Sequence, residues 1–183
     1  MDERDGFFGH ATRDESKLVS RGGALIFPGN GGILNWVPPA YLPSTGLLYV
    51  NATQSAEIHY TYGKADERGV FGKQSQGVGG YDASLRAIDV RTGQTKWIHR
   101  YAGSEWQPGR PENYGGLLAT AGNLVFAGAP GNFMVAYDPA NGRQLWHASL
   151  PDRPSNTVIT YMLDGKQYVV FAANDTLYAY AVR

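Results

Sequence analysis

The chain has 183 residues, a formal net charge of zero and only 17% charged residues, so no basic face for nucleic acid is encoded. Its 43% apolar and 13% aromatic residues suffice for the core of one domain. The lack of cysteine excludes disulfides and thiolate metal sites, and no apolar run approaches the roughly 20 residues of a membrane-spanning helix.

Residues 1–20 are polar and irregular and read as a tail or surface loop, with residues 21–183 as the structured part. The opening MDERDGFFGH lacks the apolar stretch of a signal peptide. Either the protein stays in the cytoplasm or this is not a complete natural N-terminus. From Gly22 onward, strand-like runs alternate with clusters of Gly, Pro, Asn and Asp. GGILNWVPPAYLPSTGLLYV passes from a loop, through Asn35-Trp36 and two prolines, into an apolar strand ending at Val50. Asn51 to Gly80 reads as a long loop carrying His59, Tyr60, Lys64 and Arg68, a candidate wall for a substrate funnel. GNLVFAGA and NFMVAYDP follow as strands, and Asn141-Gly142 predicts a tight hairpin into RQLWHASL. TVITYML and KQYVVFAA are joined by Asp164-Gly165, a second hairpin signal, and TLYAYAV closes the chain.

Three segments are alike: AYLPSTGLLYV from Ala40, AIDVRTGQTKW from Ala87 and AYDPANGRQLW from Ala136. Each places Gly six residues after Ala, and Gly46, Gly93 and Gly142 recur roughly every 48 residues, a period that marks a repeat architecture. A weaker echo, LYAYAVR, ends the sequence. Short antiparallel strands, about four per period, predict an all-β fold: a partial β-propeller of about three and a half four-stranded blades. A β-sandwich is the runner-up. An open set of blades exposes apolar faces between blades, so the chain is expected to be a fragment, or to assemble with other copies or a missing partner segment.

The pattern Ala-x-Asp-x-x-x-Gly-x-x-x-Trp resembles the tryptophan-docking motif of quinoprotein dehydrogenases. It is complete at Ala87, Asp89, Gly93 and Trp97, and again at Ala136, Asp138, Gly142 and Trp146. The copy at Ala40 has Leu42 in the Asp place and Val50 in the Trp place. The Asn-Trp stretch, YGGLLATAGNLVFAG and ITYMLDGKQYVVFAA resemble further segments of the same family, in order, over residues 22–183. The resemblance implies the C-terminal blades of an eight-bladed propeller that carries pyrroloquinoline quinone (PQQ) and usually Ca²⁺. Such enzymes oxidise alcohols or sugars in the periplasm and pass electrons to a cytochrome or quinone.

PQQ is flat, aromatic and has three carboxylates, so its site needs an aromatic platform, hydrogen-bond donors and a cation at the reacting carbonyl. By the resemblance, Asn35 and Trp36 face the cofactor at the propeller axis. Tyr114 stands where the family often has Trp near the cofactor, and Gly115 and Gly116 would let backbone approach a ligand closely. Trp97 and Trp146 read instead as blade-docking residues, and Asp89 and Asp138 as turn residues. His10, His59, His99 and His147 show no ligand spacing. The vicinal Cys pair, the Ca²⁺ ligands and the catalytic Asp of the family have no counterpart here, so those are expected on missing N-terminal blades or another chain, and the isolated chain is expected to be inactive. A cofactor-free propeller scaffold for protein interaction, similar to outer-membrane assembly lipoproteins, is the alternative.

Overall fold

A computed structural model describes residues 23–29, 32–34, 37–62, 72–101, 107–108, 115–154 and 157–181. The expected tail, residues 1–20, lies outside them. Within these residues every regular element is a β-strand. β1 (Ala24–Ile26), β2 (Ala40–Leu42), β3 (Leu47–Tyr62), β4 (Gly72–Asp89), β5 (Thr95–Arg100) and β6 (Gln107–Pro108) form a six-stranded sheet. β7 (Leu118–Thr120), β8 (Leu124–Ala129), β9 (Phe133–Tyr137) and β10 (Gln144–Ser149) form a four-stranded sheet in the order β10-β9-β8-β7. β11 (Ile159–Leu163), β12 (Lys166–Ala173) and β13 (Thr176–Ala181) form a three-stranded sheet. All pairings are antiparallel. These are propeller blades: each sheet is made of consecutive strands and lays one face on the next sheet.

Strand alternation explains how the blades stack, because successive side chains point to opposite faces. On β8, Val125 and Ala127 join Tyr49, Leu85 and Ala87 of the first sheet in one core. Phe126, between them, joins Val169 and Phe171 of the third sheet in another. On β9, Val135 and Tyr137 take the first side, and Met134 and Ala136 the second. The middle sheet is therefore apolar on both faces, and each fully buried Val, Leu or Phe contributes about 1.5–3 kcal/mol.

Two local expectations are corrected. Asn51 to Gly80 is not a long loop: β3 and β4 form one ladder from Leu47↔Asp89 to Tyr62↔Gly72, with one irregularity between Ser55 and Ala56. The segment hid because Asn51, Thr53 and Ser55 are buried polar residues in the middle of a strand, so the apolar alternation that signals a strand is missing. Residues 63–71, with Lys64 and Arg68, lie outside the described residues. Asn141-Gly142 is not a two-residue hairpin. Only Gly142 has positive φ, at 73°, and its N–H closes back on the Asp138 carbonyl at 2.9 Å, giving a longer turn. Asp164-Gly165 does form the tight hairpin, with φ of 49° and 73° and Leu163 paired with Lys166.

Candidate functional site

Three blades begin close together. The segments entering β2, β7 and β11 carry Pro38, Gly116 and Thr157. The Leu117 N–H donates to the Pro38 carbonyl at 3.1 Å. Gly116 is buried so tightly that an added Cβ would lie 2.6 Å from Pro38 Cγ and collide with Thr157 Oγ1. A Cβ on Gly128 would lie 2.7 Å from Pro154 and 3.0 Å from the Gly115 nitrogen. Glycine is required at both positions because the side chains of Pro38 and Thr157 at Gly116, and Pro154 with the Gly115 nitrogen at Gly128, already fill the space a side chain would take.

Of the four sequence-predicted site residues, Gly115 is described and buried. Asn35, Trp36 and Tyr114 lie outside the described residues. The flanks of the two predicted stretches, Val37-Pro38 and Gly115-Gly116, are brought into contact by the Leu117–Pro38 bond.

A buried hydrogen-bonded chain ends at Gly115. Asn51 Nδ2 donates to the Gly115 carbonyl at 3.1 Å. The Tyr101 hydroxyl donates to Asn51 Oδ1 at 2.6 Å. Because a carbonyl only accepts, the amide must present Nδ2 to Gly115, which leaves Oδ1 for Tyr101. Burial pushes the neighbouring Tyr137 phenol well above its ordinary pKa. Sequence reasoning missed Asn51, which it placed in a loop, and Tyr101. A lone polar residue inside a strand carries no periodic signal; the only clue is that Asn51 directly follows the apolar run LLYV.

The opposite ends of the blades carry the repeat motif. Trp97 Nε1 donates to the Pro139 carbonyl at 2.9 Å, and the same oxygen accepts the Tyr49 hydroxyl at 3.1 Å. The Trp97 ring covers Gly142, whose added Cβ would lie 2.6 Å from the ring. Trp97 thus docks one blade on the next. Trp146, at the matching place one blade later, is 37% exposed and meets Phe126 and Tyr180 edge-on, at centroid distances of 6.5 and 5.5 Å. Asp89 and Asp138 are turn residues: Asp89 Oδ1 accepts the Arg91 N–H at 2.9 Å and Asp138 Oδ1 the Ala140 N–H at 2.9 Å. Asp89 is held below the ordinary carboxylate range mainly by the Arg91 N–H, with help from Thr92 and Lys96.

Among the described residues, two buried oxygens, Ser55 Oγ and Asp82 Oδ1, have no hydrogen-bond partner. Asp82 Oδ2 lies 3.7 Å from Arg100 Nε. Among the described residues there is no group of three or more His, Asp or Glu that could hold a metal ion. The described junction therefore offers closely packed, Cβ-free backbone and an amide–phenol network, and a cation would need ligands from elsewhere.

The chain as a whole is similar to known proteins. Residues 83–169 match the family model described as the glucose/ethanol/alcohol dehydrogenase β-propeller domain. The chain is 30% identical over 179 residues to the quinoprotein alcohol dehydrogenase PedH of Pseudomonas putida, covering 91% of this chain and 28% of that protein. It is 34% identical over 141 residues to the quinoprotein ethanol dehydrogenase of Pseudomonas aeruginosa, covering 74% of this chain and 21% of that protein. The solved quinohemoprotein alcohol dehydrogenase ADHIIG of Pseudomonas putida superposes with a TM-score of 0.70 at 27% identity, over 85% of this chain and 24% of that one. The chain thus spans less than a third of the length of the curated relatives it matches.

Proposed function

Because the chain is a stretch of quinoprotein-dehydrogenase-like β-propeller, we propose that it supplies one side of the PQQ site in an enzyme that oxidises an alcohol or a sugar. Support comes from one relationship above all: the Leu117–Pro38 bond brings the flanks of Asn35-Trp36 and of Tyr114-Gly115 together at the start of adjacent blades. Trp36 would supply an aromatic platform, and Asn35 a donor to a cofactor oxygen. Bound PQQ would supply the oxidant, taking two electrons and hydrogen from the substrate carbon. Ca²⁺, the base for the substrate hydroxyl and the remaining blades would come from outside the described residues. A cytochrome or quinone would receive the electrons, and the periplasm is the expected compartment.

The test is titration of the chain with PQQ, with and without Ca²⁺, followed by tryptophan fluorescence. Saturable quenching that Trp36→Ala and Tyr114→Ala weaken is expected. A folded chain that does not bind PQQ would overturn the reading in favour of a cofactor-free scaffold.

A further inference from the structure

The turn between β9 and β10 places a chemically reactive dipeptide under the Trp97 dock. Asn141 precedes Gly142, whereas Gly46 and Gly93 follow Thr45 and Thr92 at the matching places. An Asn side chain before Gly is open to attack by the next backbone nitrogen, because glycine has no side chain to hinder ring closure. The Gly142 nitrogen gives up its proton to base and bonds to Asn141 Cγ, the Cγ–Nδ2 bond breaks, and the amide nitrogen leaves as ammonia with a proton from water. A second water then opens the cyclic imide to aspartate, or to isoaspartate, whose main chain runs through the former side chain. The net change is one water in and one ammonia out, with no oxidant or cofactor.

In the folded turn each participant is tied elsewhere. Asn141 Nδ2 donates to Asp138 Oδ2 at 2.9 Å, and Asn141 Oδ1 accepts the Arg143 N–H at 2.9 Å. The attacking nitrogen keeps its proton on the Asp138 carbonyl, at 2.9 Å. Asn141 is exposed but Gly142 is buried, with the Trp97 ring where its Cβ would stand. Trp97 Nε1 and the Tyr49 hydroxyl also donate to the Pro139 carbonyl, so the first sheet grips this turn at two points. Water reaches the side chain, while the neighbouring blade closes off the backbone nitrogen it must react with.

We propose that Asn141 is a deamidation site gated by the blade junction, closed while Trp97 is docked and reactive when the first and second sheets part. Its product holds the junction open. Aspartate at this position replaces the Nδ2 donor with a carboxylate oxygen beside Asp138 Oδ2, so a 2.9 Å hydrogen bond becomes a like-charge contact. Isoaspartate adds a methylene to the main chain just before Gly142, which pushes that residue against a ring with no space to spare. A transient opening is thereby recorded as a covalent change. The gate is independent of any bound cofactor.

The experiment incubates the full chain in mildly alkaline buffer and follows conversion of Asn141 to aspartate and isoaspartate by peptide mapping. The map reads this pair apart from the second Asn-Gly pair, Asn30-Gly31, which lies outside the described residues. The folded wild type is expected to react about tenfold or more slowly than the same chain unfolded in guanidinium chloride, as for any reaction confined to an opened state populated less than about a tenth of the time. Trp97→Phe deletes the indole donor to Pro139 but keeps a ring over Gly142, and Asp138→Ala frees the Asn141 amide. Both should speed conversion in the folded protein. The control Phe171→Leu, in the core between the second and third sheets, should leave the rate unchanged. Asn141→Asp should lower the urea midpoint. Conversion as fast in the folded wild type as in the unfolded chain would overturn the gate, and so would no conversion in either. Equal acceleration by Phe171→Leu and Trp97→Phe would overturn it too, by routing the reaction through global unfolding. An Asn141→Asp midpoint equal to that of the wild type would show that the product does not hold the junction open.

Discussion

Trp97, on the outer strand of the first sheet, donates its indole N–H to the carbonyl of Pro139 in the second sheet at 2.9 Å. One side chain thereby ties two blades at the turn that also carries Gly142. The bond converts a sequence repeat into a three-dimensional contact, because the Trp of one copy lands on the Gly turn of the next.

Truncating Trp97 should therefore cost more than truncating Trp146. Trp97→Ala removes a ring packed on Tyr49 and Gly142 together with a hydrogen bond, and is expected to cost about 3–5 kcal/mol. Trp146 is 37% exposed, and Trp146→Ala is expected to cost roughly half as much. Urea denaturation of both variants checks the order; equal losses would contradict the asymmetry.

The glycine turns separate backbone strain from packing. Gly93 and Gly142 both adopt positive φ, at 71° and 73°. Nothing lies within 4 Å of a Cβ added at Gly93, so Gly93→Ala should cost only the strain of the left-handed conformation, about 1–2 kcal/mol. Gly142→Ala must also displace the Trp97 ring, adding about 1–3 kcal/mol. A Gly142→Ala midpoint no lower than that of Gly93→Ala would mean that the ring moves freely.

His99 should make stability fall in mild acid. It packs edge-on against Tyr137 and Tyr101, at centroid distances of 4.9 and 5.7 Å. Burial lowers its pKa below the ordinary 6.5, partly offset by a hydrogen bond to the Gly142 backbone. The unfolded chain therefore takes up this proton first as the pH falls. The contribution is complete above pH 6.5 and declines below it until folded His99 also titrates. Melting temperatures recorded from about pH 7.5 to about 5.5 should show a shallower decline for His99→Asn than for the wild type.

Asp89 acts in strong acid. The Arg91 N–H, followed by Thr92 and Lys96, holds its carboxylate below the ordinary 3.8. Its contribution is present above that value and is lost as the pH falls toward the depressed folded pKa. Asp89→Asn can still accept the two turn amides, so it should remove part of the acid-limb steepness below about pH 4 while keeping the fold. Parallel acid unfolding curves for the two proteins would show that Asp89 is not the group responsible.

The repeat was legible because blade docking repeats its chemistry. Asp89 and Asp138 cap turns, Gly93 and Gly142 take positive φ in them, and Trp97 stands four residues after the first of these glycines. Each requirement falls on one residue type at a fixed spacing, so it leaves a pattern. The strands around Val125 and Val135 were legible through apolar runs. The β3–β4 arm was not, because Asn51, Thr53 and Ser55 point inward where the strand signal expects apolar residues. Gly115 was legible as a candidate, but the reason for its placement was not. Asn51 reaches it from 64 residues earlier, and Tyr101 reaches Asn51 from 50 residues later.

The sequence by itself determined the all-β class, the period of the blades and the turns that close them, because these rest on local backbone preference and on repetition. Only the tertiary structure decided which residues meet at the junction of Pro38, Gly116 and Thr157, and that a buried amide and phenol hold the adjoining Gly115. Hydrogen bonds between side chains and backbone distant in sequence obey no period; they form only when packing has already brought the blades together and removed the water that would otherwise satisfy them.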